Sequence, residues 1–321
     1  MKNKNSIVIS LLLILIAASG MFFINNFYSD DSSTVPAGNT EQLAEKKSAS
    51  PANEKAEQQD ADKDQEENST DYDYEDAVAS VAEEKNTTFV RQNKKIVALG
   101  DSLTQGVGDP EDNGGYVGLL EEALSENEDN PSIEIENYGK RGSRSDQLIN
   151  RLEEPAVSES VEEADIILIT IGANDIMEIV KSNFKNLTYD AFSDETNDYE
   201  SRIAQLFAAI RSKNEDAHIH LIGFYNPFNE YFSQIPELNQ IVEEWNTIGE
   251  EQVSQDENAS FIPTYDLFKL ADERYYSEDN FHPNLRGYAL MAERILPYLE
   301  EEMYSQQETT AVDEVTNSQN D

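Results

Sequence analysis

The chain of 321 residues contains no cysteine. Disulfides, thiolate chemistry and a lipid-modified cysteine anchor are therefore excluded, although the absence does not fix the compartment. Basic residues are scarce as well. Lys and Arg number 23 against 65 Asp and Glu, for a formal net charge of -42. Such a surface repels nucleic acid and an anionic membrane face, which carry the same sign. The simplest reading of the excess is a solubilising or salt-tolerant exterior. Histidine occurs three times, at 218, 220 and 282, so few side chains can exchange a proton near neutrality. No internal repeat is visible.

Long apolar runs are missing with one exception, "IVISLLLILIAASGMFFI" at residues 7–24. As a helix this run is just long enough to cross about 30 Å of hydrocarbon. It reads as a membrane anchor, or as a signal peptide cleaved near "AAS" at 17–19. Because the apolar run continues from Met21 to Ile24, the uncleaved anchor is favoured. Lys2 and Lys4 precede the run and no Lys or Arg follows it before Lys46, which keeps the N-terminus inside and sends the rest outside. Residues 1–28 are thus expected to anchor the chain. Residues 29–92 are acidic and poor in large apolar side chains, as expected of a disordered linker. Residues 93–303 form one domain-sized segment, and 304–321 read as a disordered tail.

Inside the domain, strand-length apolar runs alternate with helical patterns. The strands are expected at 95–100, 132–139, 164–172, 218–224 and 261–266. Helices are expected at 116–126, 145–154, 199–213, 235–255 and 285–302. Regular alternation implies βαβ units, and hence an α/β protein: a three-layer α/β/α sandwich around a parallel five-stranded sheet of flavodoxin-like order 2-1-3-4-5. In such sheets ligands sit beyond the carboxyl ends of the strands. The segments that follow the strands are "DSLTQGVG", "KRGSRSD", "ANDIM", "YNPF" and "SEDNFHPN". The stretch 183–199 is too long for a short βα connection; it reads as a loop at the catalytic rim whose Phe184, Tyr189, Phe192 and Tyr199 either line an acyl pocket or pack on one another.

Ser102, at the end of the first strand, reads as a turn or helix cap or as a nucleophile. A nucleophilic serine needs a base, an orienting acid and donors for a developing oxyanion. His218 and His220 open the fourth strand on one face at its amino end, the wrong rim; they read as solvated strand-edge residues, with a metal pair as the minor alternative. His282 lies on the correct rim, and Asp279, three residues earlier, is placed to meet it. The oxyanion donors would be the Ser102 N–H, a glycine N–H after the second strand and the Asn174 amide. Asp101 is expected to hold the nucleophile loop by backbone hydrogen bonds.

Four blocks then stand in order: "GDSLT" (100–104), "NYGKRG" (137–142), "GAND" (172–175) and "DNFHPN" (279–284). Together they resemble the SGNH hydrolases, also called GDSL lipases and esterases, over residues 94–300. The "FYNPF" and "FHPNLRGYALMA" stretches look like the membrane-tethered bacterial lipase/acylhydrolase branch. This resemblance implies Ser102 as nucleophile, Asp279 and His282 as the rest of a triad, and Gly142 rather than Gly139 beside Asn174 and the Ser102 amide in the oxyanion hole. It also implies no metal and no organic cofactor. The expected protein is a monomeric serine ester hydrolase outside the cell, touching the membrane only through its N-terminal helix. Its substrate would be a lipid acyl ester, a lysophospholipid or a general carboxylic ester; an acetylated cell-wall or exopolysaccharide sugar is the alternative, and a non-catalytic surface binding protein a remoter one.

Overall fold

The computed structural model describes residues 72–82, 94–125, 133–183, 187–227, 237–269 and 273–317. Five strands, β1 (Lys95–Gly100), β2 (Glu134–Gly139), β3 (Ile166–Thr170), β4 (His218–Ile222) and β5 (Ala259–Ile262), form one sheet of order β2-β1-β3-β4-β5. Every pairing is parallel, with Leu99 opposite both Tyr138 and Ile169. The expected order and direction are therefore those observed. β3, "IILIT", is buried along its whole length, as a central strand covered on both faces must be.

Ten α-helices accompany the sheet among the described residues: α1 (Tyr74–Ala82), α2 (Ser102–Gln105), α3 (Tyr116–Ser125), α4 (Ser145–Arg151), α5 (Pro155–Glu163), α6 (Ala173–Ser182), α7 (Tyr189–Lys213), α8 (Glu237–Val253), α9 (Tyr265–Lys269) and α10 (Leu285–Asn317). On one face α1, α3 and α10 pack on one another; on the other, α7 packs with α4, α5, α6 and α8. Pro155 opens α5 at a position where its missing N–H has no intrahelical partner to lose.

Three expectations change. The acidic linker does not run unbroken to residue 92, because α1 lies within it. Its Ala77, Val78 and Val81 form a buried stripe that joins the cluster containing Leu119, Leu120 and Leu296. Glu75 and Asp76 sit in its first turn, where the helix dipole favours negative charge. The Tyr72 ring lies 4.2 Å from the Arg286 guanidinium of α10. The acidic composition hid a short apolar stripe.

Second, the stretch 183–199 is not one long loop, for α7 begins at Tyr189. Phe192, Tyr199, Ile203, Leu206 and Ile210 share the buried side of that helix, at the spacing of a single face. Phe192 and Tyr199 are thereby core residues and do not line an acyl pocket, and Tyr199 stacks on Trp245 at 4.1 Å. Tyr189 donates instead to Glu244, and Phe184 lies outside the described residues.

Third, α10 continues to Asn317, past the expected start of a tail at 304. Among the described residues no helix is long and apolar enough to cross a membrane. The expected span at 7–24 falls outside them, as does the linker before Tyr72.

If α1 belongs to the domain, Val81→Asp, which buries a charge at a position with no exposure, lowers stability by about 1–3 kcal/mol. Glu75→Ala, on the exposed side, stays within about 0.5 kcal/mol. Urea midpoints of the two variants check this.

Candidate active site

β1 delivers Ser102 to the rim through a turn that leaves it little freedom. The Asp101 carboxylate accepts from Leu103 N–H at 3.0 Å, capping α2, and from the Thr170 hydroxyl of β3 at 3.0 Å. The Asp101 N–H donates to the Thr170 carbonyl at 3.2 Å. α2 is four residues long and ends at Gly106, whose φ of 86° is left-handed and suits a residue without Cβ. Ser102 is 3% exposed.

The His282 loop reaches the same rim from the far end of the chain. His282 Nε2 lies 2.9 Å from Ser102 Oγ, and its Nδ1 lies 2.5 Å from Asp279 Oδ2. The other Asp279 oxygen accepts from the backbone N–H of Phe281 (3.0 Å) and of His282 (2.9 Å) and from the Ser277 hydroxyl (2.8 Å). Burial works against the charged form of Asp279. The hydrogen bond and charge of His282, with the other donors, outweigh it and hold the carboxyl well below the usual carboxylate range. With Nδ1–H donated to that carboxylate, Nε2 is the nitrogen left to accept the Ser102 proton. The structure thus joins three expected site residues in one hydrogen-bonded row.

The loop after β2 is tied to the turn that carries Ser102. Asn137 Nδ2 donates to the Thr104 carbonyl at 2.7 Å, and Lys140 N–H donates to the Gly100 carbonyl at 3.0 Å. Gly139 is fixed by packing: a Cβ there would stand 2.1 Å from the Gln105 nitrogen, and its N–H is committed to Asn137 Oδ1 at 2.8 Å. Gly142 differs. Its φ of 80° is left-handed, and among the described residues neither its N–H nor that of Ser102 donates a hydrogen bond. Asn174, buried in the first turn of α6, gives one amide proton to the Ser143 carbonyl at 3.1 Å. The turns after β1, β2 and β3 thus offer two uncommitted backbone donors and a buried amide.

The pair His218 and His220 departs from expectation, since His220 is buried and only His218 keeps part of its surface exposed. His220 is 1% exposed, and among the described residues its ring nitrogens have no hydrogen-bond partner. Burial, reinforced by His218, pushes its pKa down to about 3. His218 meets Ser260 Oγ at 2.9 Å and Glu302 at 3.2 Å. Sequence reasoning also passed over Tyr225. Its hydroxyl donates to the Phe281 carbonyl at 2.8 Å, one residue before His282, and its ring stacks on Phe268 at 4.0 Å. Its place directly after β4, in "YNPF", was the available signal.

A parallel sheet of this order, with a serine, a histidine and a carboxylate joined at its carboxyl rim, is the framework of an α/β ester hydrolase. The chain belongs to the GDSL-like Lipase/Acylhydrolase family, whose model matches residues 98–290. It is 36% identical over 217 residues to the uncharacterized protein YpmR of Bacillus subtilis, a match spanning 67% of this chain and 85% of that one. It is 28% identical over 208 residues to the spore germination lipase LipC of Bacillus licheniformis, covering 63% of this chain and 94% of that one. Among solved structures, the lipase Lip_vut3 from a goat rumen metagenome superposes with a TM-score of 0.56 at 26% identity, covering 63% and 96% of the two chains.

Asp101 supplies a pH test. Burial raises its pKa from 3.8 to about 7, against the opposing bonds from Leu103 and Thr170. A carboxyl raised in the folded state takes up a proton on folding, so its contribution is full below about pH 4 and is lost as pH climbs through about 7. Asp101→Asn keeps the shape and an acceptor oxygen. Subtracting the unfolding free energy of this variant from that of the wild type, measured from pH 4 to 8, should leave a curve that falls with pH; a flat difference contradicts the assignment.

Proposed function

We propose that this chain is a serine ester hydrolase of lipase/acylhydrolase type that works through an acyl-enzyme. The observation that carries the reading is the continuous row Ser102 Oγ, His282 Nε2, His282 Nδ1, Asp279 Oδ2. In the acylation step Ser102 Oγ attacks the ester carbonyl while His282 Nε2 takes the hydroxyl proton. Asp279 holds the imidazole in the required tautomer and stabilises the imidazolium that forms. The negative oxygen of the tetrahedral intermediate is received by the Ser102 and Gly142 N–H groups and the second amide proton of Asn174. Collapse expels the alcohol, which leaves with the proton from His282. Water then repeats the sequence on the acyl-enzyme and frees the acid. The scheme calls on no metal or organic cofactor.

Acyl esters of lipids or simple alcohols are the favoured substrates, because two named relatives, LipC and Lip_vut3, are called lipases. The apolar run at 7–24 supports a tethered chain with its catalytic domain outside the cell.

The purified full chain should hydrolyse p-nitrophenyl butyrate and be labelled by a fluorophosphonate. Ser102→Ala should abolish labelling and lower turnover by more than about 10⁴-fold, and Asp279→Asn by roughly 10²–10⁴-fold. Equal turnover after Ser102→Ala sinks the proposal. Faster cleavage of acetylated sugars than of p-nitrophenyl butyrate or octanoate moves the substrate class to glycans.

A further inference from the structure

Beside the triad stands a second buried cluster that the steps above do not use. It joins three elements: Ser145 at the start of α4, Asp175 in the first turn of α6, and Arg202 in the middle of α7. Asp175 accepts from the Ser145 N–H at 3.0 and 3.3 Å and from the Ser145 hydroxyl at 2.6 Å. The Ser145 oxygen in turn accepts from Arg202 Nε at 2.8 Å, and Arg202 Nη2 lies 3.5 Å from Asp175. Ser145 has no exposure, and Asp175 is 4% exposed. Burial raises the pKa of Asp175, while the Ser145 bonds and the Arg202 charge oppose it.

This cluster grips the segment that carries the oxyanion donors. Asn174 and Asp175 are neighbours on α6, and they hold Ser143 and Ser145, the second and fourth residues of the segment that begins at Gly142. One Asn174 amide proton is spent on the Ser143 carbonyl, so the direction of the other depends on where that carbonyl stands. The Gly142 N–H belongs to the Arg141–Gly142 peptide unit and is joined to Ser143 through the Gly142 backbone, whose φ of 80° must be kept for that N–H to hold its direction. A shift of the Ser143–Ser145 backbone therefore displaces both donors together. The carboxylate holds that backbone directly through the Ser145 N–H, and the Ser145 hydroxyl adds a second bond; Arg202, by donating to Ser145 Oγ from the other side, leaves the hydroxyl proton to point at Asp175.

We propose that Asp175, oriented by Arg202 through Ser145, is the positioning residue that sets the Gly142 N–H and the Asn174 amide at the spacing an ester oxyanion requires. The inference rests on the serine-hydrolase reading given above. Donors of this kind act only when aimed at the oxygen of the intermediate, and a misplacement of about 1 Å can cost on the order of 10²-fold in rate.

The test uses the full chain, p-nitrophenyl butyrate as substrate, and phosphonate titration to count active sites. Asp175→Asn should lower kcat per titrated site by roughly 10- to 100-fold while KM stays within about threefold. Arg202→Lys should retain more of kcat than Arg202→Gln. In an Asn174→Ala background, where one donor is already gone, Asp175→Asn should cost less than about threefold. Unchanged kcat per titrated site, or a full multiplicative loss in that background, overturns the proposal. If Asp175→Asn does not fold, the Arg202 pair decides on the same criterion: equal kcat per titrated site in Lys and Gln overturns it. A wild-type chain inert to both ester and phosphonate brings down the parent reading and this one with it. An active wild type with an unaffected Asp175→Asn brings down this one alone.

Discussion

The hydrogen bond between Ser102 and His282 spans 180 positions of sequence, and most of the architecture is arranged so that it can form. Parallel strands deliver every carboxyl end to one rim, so a residue just after β1 and another just before α10 arrive at one place. The turn that presents Ser102 is steadied from below by a buried polar row. Tyr116, Thr104, Thr170 and Asp101 follow one another at 2.9, 2.7 and 3.0 Å. Donation running from Tyr116 to Asp101 satisfies each link. Polar groups shut away from water must be paired in this manner, or each costs a few kcal/mol.

Three buried or half-buried carboxylates surround the rim, and each has a different environment. Asp279 has the imidazole and several N–H or O–H donors, and ionises readily. Asp175 has a serine and a guanidinium to offset its burial. For Asp101 no cation is among the main influences, and its carboxyl is held toward the neutral form. Three acids of similar intrinsic strength are thereby given separate behaviours by what each touches. The very large negative charge of the whole chain has little part in this, since screened surface charge acts weakly over distance.

The fold was legible because its signal is periodic. Five apolar runs separated by helical patterns, together with the handedness of βα crossovers, leave few arrangements, and the expected strand order is the one found. The candidate site was legible in its residue types, since the Ser102 hydroxyl and the Asn174 amide follow β1 and β3, while the Asp279 carboxylate and the His282 imidazole stand just before the last helix. What composition concealed is where apolar stripes are short or diluted. α1 carries three buried residues in an acidic stretch, and α7 begins ten residues before its expected start. In both, charged residues on the outer face masked the inner one. His220 was misjudged for another reason: period-2 reasoning gives the face of a strand but not the depth of the layer above it. Arg202 was out of reach altogether, because its meaning depends on Ser145, 57 positions away.

The clamp between the two ends of the domain also bears on how the molecule is made. Tyr288 of α10 donates to the Val107 carbonyl at 2.7 Å, and Gly108 lies so near the Pro283 carbonyl that a Cβ would not fit. A ribosome that has just passed Ile262 has completed every strand of the sheet and still has neither the base nor the latch that seats it. On the proposed mechanism the nascent polypeptide stays chemically silent until the segment bearing His282 is in place, and a molecule that loses that segment to a protease keeps Ser102 but not the imidazole that would arm it.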